Sequence, residues 1–345
     1  MCNCADNECA CRPAVVLGVD GGGTKTHYAL YDICGRPVDF MVSGPTNHEV
    51  LPDGFTGLRQ RLRSDLDILF SRNGLKVGHV DHAVFGLAGV DTRRQHGIIS
   101  GMLKDIGLTR FTLCNDSFLG VKAGSVSGHG ICAINGTGFS IGGIDRKGNM
   151  LQIGGLGEYT GDEGGGGLLS TRVIRAVYDH LYKDSPATML KELVFERIGI
   201  TDPADYPEVL LHQAAEGKVD LMEFGRMVDK AADADDAVAL GILEKSGTEY
   251  ARSIQGAINR LDFGPESEPL EIVLAGSVFV KGSNPRTQDT MLAALRARNP
   301  GRTITTTKLT APPVLGAILW ALEPFHVPDG RERVGDGLLD MIENA

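Results

Sequence analysis

Short apolar runs that end in glycine or acidic residues recur along the chain, and two of them share one pattern. Residues 15–32, VVLGVDGGGTKTHYALYD, predict a strand, a glycine-rich turn and a second strand. Residues 130–149, GICAINGTGFSIGGIDRKGN, repeat this arrangement. A repeated supersecondary unit indicates two domains built on one plan, although glycine-rich hairpins are common enough for coincidence to be the alternative.

Other segments follow a helical period. Residues 53–73 and 250–261 have apolar side chains at helical spacing, and the second lies in a helix-rich stretch at 187–262. A further buried strand is expected at 270–279 and a buried helix at 314–323. Strands that alternate with helices in this way predict an α/β protein.

Length and charge narrow the class of protein. The 345 residues exceed what one hydrophobic core usually serves, which favours two domains. The net charge of −10 disfavours nucleic acid and anionic membrane surfaces as partners, so small molecules are expected. The longest apolar run, residues 312–322, is shorter than the roughly 20 residues of a membrane span. The first residues lack the pattern of a secretory signal, and we therefore expect a cytoplasmic protein.

The seven cysteines fall into two groups. Cys34, Cys114 and Cys132 are scattered in apolar context, which predicts buried thiols. The others form a terminal cluster, namely Cys2, Cys4, Cys9 and Cys11. Thiolates at this density could bind zinc, copper(I) or an iron–sulfur centre, but the spacing matches no established zinc pattern. We expect a disordered tail at residues 1–14 and leave metal binding open.

The glycines of residues 21–23 predict a phosphate-binding turn, because glycine lets backbone amides approach phosphate oxygens. Dinucleotide-binding folds and P-loop nucleotidases place a helix directly after such glycines. Here β-forming residues follow, and Thr24 rather than glycine precedes Lys25, so neither motif fits. The phosphate would be held by turn amides and threonine hydroxyls.

Eight short motifs follow one another in order: DGGGTKT, GPTNHE, GLAGVD, CNDS, NGTGFS, GGLGEYTGDEGGG, LAGSVF and PPVLGA. In this order they resemble the N-acetylglucosamine kinases of the BadF/BadG/BcrA/BcrD ATPase family, in the sugar kinase, heat-shock cognate and actin superfamily. The resemblance implies an α/β fold of two ribonuclease H-like domains with a nucleotide cleft between them. The expected domains are residues 15–117 and 118–327, the second with a helical insertion, followed by a tail at 328–345.

The resemblance also implies ATP and Mg²⁺ as cofactors and a role for each matched residue. Asp116 of CNDS matches the catalytic aspartate, which can take the proton of an attacking hydroxyl. Asp20 would face the metal, and Asn47 matches a sugar-binding asparagine. The ATP-binding positions are Asp20, Gly22, Gly23, Thr24, Gly136, Thr137 and Gly276. The acceptor-sugar positions besides Asn47 and Asp116 are Gly155, Leu156, Gly157 and Asp162.

Several of these residues have simpler explanations. Asp116 could cap a helix, and Asn47 could serve only a turn. Glu158 could be a sugar ligand or a solvated loop charge. Leu156 stands where the animal N-acetylglucosamine kinases carry a tryptophan, which leaves the identity of the sugar open.

Together these features predict a homodimeric, ATP-dependent kinase of the 6-hydroxyl of N-acetylglucosamine, with Asp116 as general base. A glucosamine or glucose kinase is a close alternative. An ATPase activator of a 2-hydroxyacyl-CoA dehydratase-type enzyme belongs to the same family, but it holds its iron–sulfur cluster with core cysteines. A sugar-responsive repressor is disfavoured, since only 14 residues precede the first strand and no basic patch is present.

Overall fold

The computed structural model describes residues 14–327 and 330–344 of the chain. The cluster of Cys2, Cys4, Cys9 and Cys11 lies outside the described residues, so its expected disorder and metal affinity stay predictions. The chain divides into two compact units. Unit 1 runs to His129 and takes in the chain again from Leu309, whereas unit 2 is the continuous segment Gly130–Lys308.

Strands and helices alternate along both units. The strands of the described residues are β1 (Val15–Gly21), β2 (Thr26–Asp32), β3 (Pro37–Ser43), β4 (Val80–Leu87), β5 (Phe111–Cys114), β6 (Gly130–Asn135), β7 (Phe139–Ile144), β8 (Met150–Ile153), β9 (Leu270–Ala275) and β10 (Ile304–Lys308). Their α-helices are α1 (Gly54–Arg72), α2 (Arg93–Ile106), α3 (Ser117–Gly124), α4 (Gly166–Tyr182), α5 (Leu190–Ile198), α6 (Tyr206–Ala215), α7 (Met227–Ala232), α8 (Ala237–Ile258), α9 (Ser277–Lys281), α10 (Arg286–Arg298), α11 (Val314–Leu322) and α12 (Gly330–Glu343).

The sheet of unit 1 has the strand order β3-β2-β1-β4-β5. Strands β1, β2 and β3 pair antiparallel, and β4 and β5 continue the sheet parallel to β1. The hairpin predicted at residues 15–32 is therefore confirmed. Helix α1 covers this sheet with the apolar residues expected from the helical period, of which Leu58, Leu62 and Leu66 are fully buried.

The sheet of unit 2 repeats this topology, with the strand order β10-β9-β6-β7-β8. Strands β6, β7 and β8 pair antiparallel, while β9 and β10 extend the sheet parallel to β6. The internal repeat read from the sequence is thus real, and each unit has the ribonuclease H-like fold that was expected. Helices α4–α8 lie between β8 and β9, and Tyr250 and Ile254 of α8 are buried against the sheet.

Helix α11 belongs to unit 1 although it follows unit 2 in the chain. Its side chains Ala317 and Ile318 lie against Gly18 of β1, where an added Cβ would come within 3.0 Å of both. On another face, a Cβ on Gly316 would lie 2.1 Å from the carbonyl oxygen of Leu119 in α3. Residues without side-chain bulk thus let α11 approach β1 and α3 closely.

The unit boundaries differ from the expected domains. Helix α3 remains in unit 1, so the first boundary falls after His129 instead of after residue 117. The expected tail at 328–345 contains α12, whose Val334 and Leu338 are buried. Tyr31 of β2 donates a hydrogen bond to the Val334 carbonyl, and Arg331 donates to the Ala123 carbonyl. Of the α-helices in residues 14–327 and 330–344, none is long and apolar enough to cross a membrane.

Candidate active site

Predicted site residues of unit 1 lie at or after the ends of its strands. Strands β1, β4 and β5 run parallel, so their carboxyl ends share one edge of the sheet. Asp20 lies at the end of β1, Asp91 follows β4, and Asn115 and Asp116 follow β5. The topology therefore gathers three carboxylates at one edge.

The glycine turn after β1 is closed by a hydrogen bond from the Gly22 amide to the Lys25 carbonyl (3.0 Å). The loop after β3 rests on it, because Thr46 and Asn47 both donate backbone hydrogen bonds to the Gly22 carbonyl. Within the described residues, the backbone amides of Gly23 and Thr24 donate no hydrogen bond. These exposed amides are available to an anion, as the phosphate-loop prediction requires.

Asp116 directly precedes α3, at the N-cap position, but its side chain does not cap the helix. Its side chain makes no capping hydrogen bond, whereas the side-chain oxygen of Asn115 accepts one from the Ser117 amide (3.0 Å). Asn115 thus supplies the capping chemistry of the Asn-Asp-Ser sequence. The simpler explanation for Asp116 as a helix cap does not hold in this structure.

The surroundings of Asp116 disfavour its charged form. Burial is the largest cause, and the carboxylates of Asp20 and Asp91 add to it; together they raise the pKa of Asp116 to about 7. Hydrogen bonding from nearby backbone amides opposes this shift only in part. A carboxyl with such a pKa can gain and lose a proton near neutral pH, as general base catalysis demands.

Asn47 combines a turn function with a free amide group. Its side-chain oxygen accepts a hydrogen bond from the Glu49 amide (2.9 Å), so the expected turn chemistry is present. Its Nδ2 group has no hydrogen-bond partner among residues 14–327 and 330–344. Asn47 lies against the loop after β4, since a Cβ on Gly89 would be 2.6 Å from its Oδ1. Beside it, His48 stacks on Phe55 with ring centroids 4.0 Å apart.

In unit 2, the turn between β6 and β7 packs on the start of α4. The side-chain oxygen of Asn135 accepts a hydrogen bond from the Gly165 amide (2.7 Å), and the Gly136 carbonyl accepts one from Gly166 (2.8 Å). Thr137 is exposed at the tip of this turn. Gly276, with φ of +88°, passes so close that a Cβ would lie 2.5 Å from the Asn135 carbonyl. Gly136, Thr137 and Gly276 are therefore neighbours, as the ATP-site prediction requires.

The predicted acceptor loop of unit 2 is shaped by Asp162, which is only 7% exposed. One carboxylate oxygen accepts hydrogen bonds from the Gly155 amide (3.0 Å) and the Gly157 amide (2.8 Å). The other accepts from the Thr160 hydroxyl (2.7 Å). Asp162 thus fixes the loop from within, and its bonds to the loop occupy both carboxylate oxygens.

The same loop displays two apolar side chains to solvent. Leu156 is 42% exposed and Tyr159 is 98% exposed. Leu156 directly precedes the 3₁₀ turn Gly157–Thr160, and Tyr159 lies within it. Because residues three apart in a 3₁₀ turn lie on one face, the two side chains share a face. Glu158 is also exposed, which leaves its role open. Glu163, after the loop, forms ion pairs with Arg172 and Lys245 and anchors this segment to α4 and α8.

The family model of the BadF/BadG/BcrA/BcrD ATPases matches residues 17–321, most of the chain. The protein belongs to the BadF/BadG/BcrA/BcrD ATPase family. Membership of this ATPase family establishes ATP as its nucleotide.

Relatives of this chain are named as sugar kinases. An N-acetylmuramic acid/N-acetylglucosamine kinase of Clostridium acetobutylicum is 24% identical over 269 residues, covering 76% of this chain and 85% of the relative. An N-acetyl-D-glucosamine kinase of Dictyostelium discoideum is 22% identical over 317 residues, covering 89% of this chain and 98% of the relative. A solved structure from Chromobacterium violaceum, named as a candidate N-acetylglucosamine kinase, shares the fold with a TM-score of 0.65 at 21% identity, covering 91% of this chain and 100% of that one.

Sequence reasoning missed three residues of this ATPase that the structure brings to these loops. Asn115 holds the segment around Asp116, Tyr159 is exposed on the predicted acceptor loop, and Gln95 connects two loops of unit 1. A signal for Gln95 was available, because Thr92 and Gln95 have the spacing of a capping box. Tyr159 carries no such signal.

Proposed function

We propose that this ATPase is a sugar kinase that transfers the γ-phosphoryl group of ATP to the 6-hydroxyl of N-acetylglucosamine. Asp116 is the general base in this proposal. The observation that carries it is the Asp116 carboxyl, which lies after β5, makes no capping hydrogen bond to α3 and has its pKa raised to about 7. The kinase relatives support the reaction class, and the free Asn47 amide supports a sugar as acceptor.

In the proposed reaction, Asp116 accepts the proton of the sugar 6-hydroxyl as its oxygen attacks the γ-phosphorus. The new oxygen–phosphorus bond forms while the bond between the γ-phosphorus and the β,γ-bridging oxygen breaks, and ADP leaves. Positioning and charge neutralisation supply most of the rate in such transfers. The amides of Gly23 and Thr24 are assigned to phosphate oxygens, as are Gly136 and Thr137 of the second turn. Gly22 is assigned to the same ATP site as the residue whose amide closes the first turn on the Lys25 carbonyl.

Mg²⁺ fits the carboxylate set of unit 1. It binds readily through one or two carboxylates, keeping several waters and using substrate phosphates as further ligands. No group of three or more metal-binding side chains occurs within the described residues, so Asp20 would act with phosphate and water oxygens. The ion would neutralise charge on the phosphates. Asp20 Oδ2 lies 3.7 Å from His27 Nδ1, beyond hydrogen-bonding distance.

For the sugar, we assign the Asn47 amide to a hydroxyl or acetamido oxygen of the acceptor. We assign Gly155, Leu156 and Gly157 to the acceptor loop, with Asp162 holding the backbone of that loop in place. Leu156 stands where the animal enzymes have a tryptophan, and Tyr159 offers an aromatic surface on the same loop. N-acetylmuramic acid, glucosamine and glucose are the alternative acceptors to be compared.

The test is a coupled ADP-release assay with Mg-ATP and each of these four sugars. We expect turnover with N-acetylglucosamine, a product phosphorylated at O6 by NMR, and a fall in kcat of at least about a hundredfold for Asp116→Asn. The matched control is Asp67→Asn, which removes an exposed carboxylate of α1 and should retain wild-type turnover.

The possible outcomes separate the alternatives. Turnover with glucosamine or glucose alone would change the acceptor and keep the kinase. ADP release at a rate that does not change with any of the sugars would overturn the kinase proposal and favour the ATPase-activator branch. Wild-type kcat in Asp116→Asn would remove Asp116 as the base.

The proposal also includes a cytoplasmic homodimer that acts on small molecules, with a net charge of −10 that disfavours nucleic acid. Light scattering of the purified enzyme should give twice the chain mass of 36.8 kDa. A mass equal to one chain would contradict the dimer.

A further inference from the structure

Gln95, in the first turn of α2, contacts two loops that matter for the proposed reaction. We propose that Gln95 is a positioning residue whose side-chain amide fixes the sugar-binding loop of Asn47 against the loop that supports Asp116. The inference rests on the proposed function, in which Asn47 binds the sugar and Asp116 is the base. It assigns Gln95 a role beyond capping a helix.

The two ends of the Gln95 amide have separate partners. Its Oε1 accepts hydrogen bonds from the backbone amides of Asp91 (3.0 Å) and Thr92 (2.8 Å). Its Nε2 donates to Glu49 Oε1 at 3.2 Å and lies 3.5 Å from Nε2 of His48. Because two N–H donors face one end of the amide, that end must be the oxygen, and the nitrogen must face the Asn47 loop.

Only the oxygen of Gln95 is needed by α2. Thr92 and Gln95 form a capping box, in which either glutamine or glutamate can fill the second position. A glutamate would cap α2 equally well, but it would set a second carboxylate against Glu49. The nitrogen of Gln95 therefore serves the contact between loops.

Both loops lead directly to proposed site residues. On one side, Glu49 donates its backbone amide to Asn47 Oδ1 (2.9 Å), which sets the orientation of the Asn47 amide. On the other side, Asp91 Oδ1 accepts a hydrogen bond from Asn115 Nδ2 (3.0 Å), and Asn115 precedes Asp116. A chain of hydrogen bonds thus runs from the Asn47 loop through Gln95 to the residue beside the proposed base.

The test is a set of variants that exchanges the hydrogen-bond donor and acceptor between residues 95 and 49. Gln95→Glu keeps the cap and removes the donor; we expect the KM for the sugar to rise about tenfold, the loss typical of one hydrogen bond to a charged group. The KM for ATP should stay within about twofold of wild type, because the side chain of Gln95 bonds to Asp91, Thr92 and Glu49 and not to the glycine turn. Glu49→Gln alone keeps an acceptor and should change the sugar KM less.

The double variant Gln95→Glu/Glu49→Gln restores one donor and one acceptor in the reverse direction, at wild-type net charge. We expect its sugar KM to return to within about threefold of wild type. Gln60→Glu, on the exposed face of α1, controls for a negative charge added to unit 1. A wild-type sugar KM in Gln95→Glu, or no recovery in the double variant, would overturn the proposal.

Amide hydrogen exchange of residues 46–50 provides a readout that needs no sugar. Exchange should be faster in Gln95→Glu and return toward wild type in the double variant, because the contact holds this loop. Faster exchange with an unchanged sugar KM would reduce Gln95 to a structural residue. If the wild-type protein shows no sugar-dependent ADP release, the proposed function fails, and unchanged exchange in Gln95→Glu would independently refute the loop contact.

Discussion

The proposed role of Asp116 as general base has a cost in stability. Its pKa is raised from 3.8 to about 7 in the folded protein, so the native state holds its proton more tightly than the unfolded chain does. The protonated carboxyl therefore makes its full contribution to the stability of the fold below about pH 4, where it is protonated in both states. That contribution is lost as the pH rises through about 7, where the carboxyl ionises in the folded protein.

We accordingly predict that Asp116→Asn is more stable than wild type at pH 8 by at least about 1 kcal/mol, since one pKa unit corresponds to roughly 1.4 kcal/mol and the side chain is partly exposed. The measurement is urea unfolding without nucleotide or metal at pH 4, 6 and 8. The difference should shrink toward pH 4. Asp67→Asn should show no such trend, and a less stable Asp116→Asn at pH 8 would contradict the pKa argument.

In activity, the same titration has the opposite consequence. A general base must be ionised, so kcat/KM for the sugar should fall as the pH drops below about 7. In the proposed mechanism, function and stability thus place opposite demands on one carboxyl. Such a conflict is typical of catalytic residues and rare at purely structural ones.

Motif order predicted Asp116 and Asn47, but local sequence could not say what their neighbours do. Asn115 and Asp116 are both good capping residues, and only the structure shows that Asn115 makes the cap. Similarly, Asp162 matched the sugar loop by position, yet its carboxylate bonds to the Gly155 and Gly157 amides. These outcomes depend on which atoms the fold brings within hydrogen-bonding distance, and the sequence does not encode that locally.

Among the elements, the two hairpins were predictable because β-forming residues follow each glycine turn directly. Helix α12 was not, since its glycines and charges conceal a short apolar stripe of Val334 and Leu338. Two apolar residues at this spacing predict a helix only when the surface of unit 1 that buries them is known. The boundary after His129 depends in the same way on the packing of α3 against α11.

At the scale of elements, the contact between Gly276 and the turn after β6 yields a sharp prediction. Gly276→Ala should lower the free energy of unfolding by at least about 3 kcal/mol, because it combines a positive φ with a clash against backbone atoms. Gly148→Ala is the matched control, with φ of +78° and no heavy atom within 4 Å of the added Cβ. It should cost only about 1–2 kcal/mol.

Urea unfolding of both variants measures the difference, and the KM for ATP provides a second readout. Gly276→Ala should also raise the KM for ATP, because any relief of the clash moves the Asn135–Gly136 backbone. Equal losses of stability in the two variants would mean that the close approach of Gly276 to the Asn135 backbone adds nothing to the cost of the substitution.

For the whole molecule, the order of units along the chain has consequences for folding. Unit 2 is continuous, with its sheet core and a helical cluster of α4–α8 both formed within Gly130–Lys308. Unit 1 is discontinuous, because α11 covers β1 and α12 contacts β2 only after the chain has passed through unit 2. The first segment of unit 1 therefore lacks part of its own core until the last segment is present.

We predict that a fragment of residues 130–308 folds on its own, whereas a fragment of residues 14–129 does not. The first should show a cooperative urea transition and resist limited proteolysis, because it retains both of its buried clusters. The second leaves the α11-facing surface of β1 exposed and should be digested rapidly. Joining residues 14–129 to 309–345 with a flexible glycine–serine linker should restore a cooperative transition, since Ala317 and Ile318 again cover Gly18. A cooperatively folded 14–129 fragment, or a linked chain that stays unfolded, would show that the core of unit 1 does not depend on its final segment.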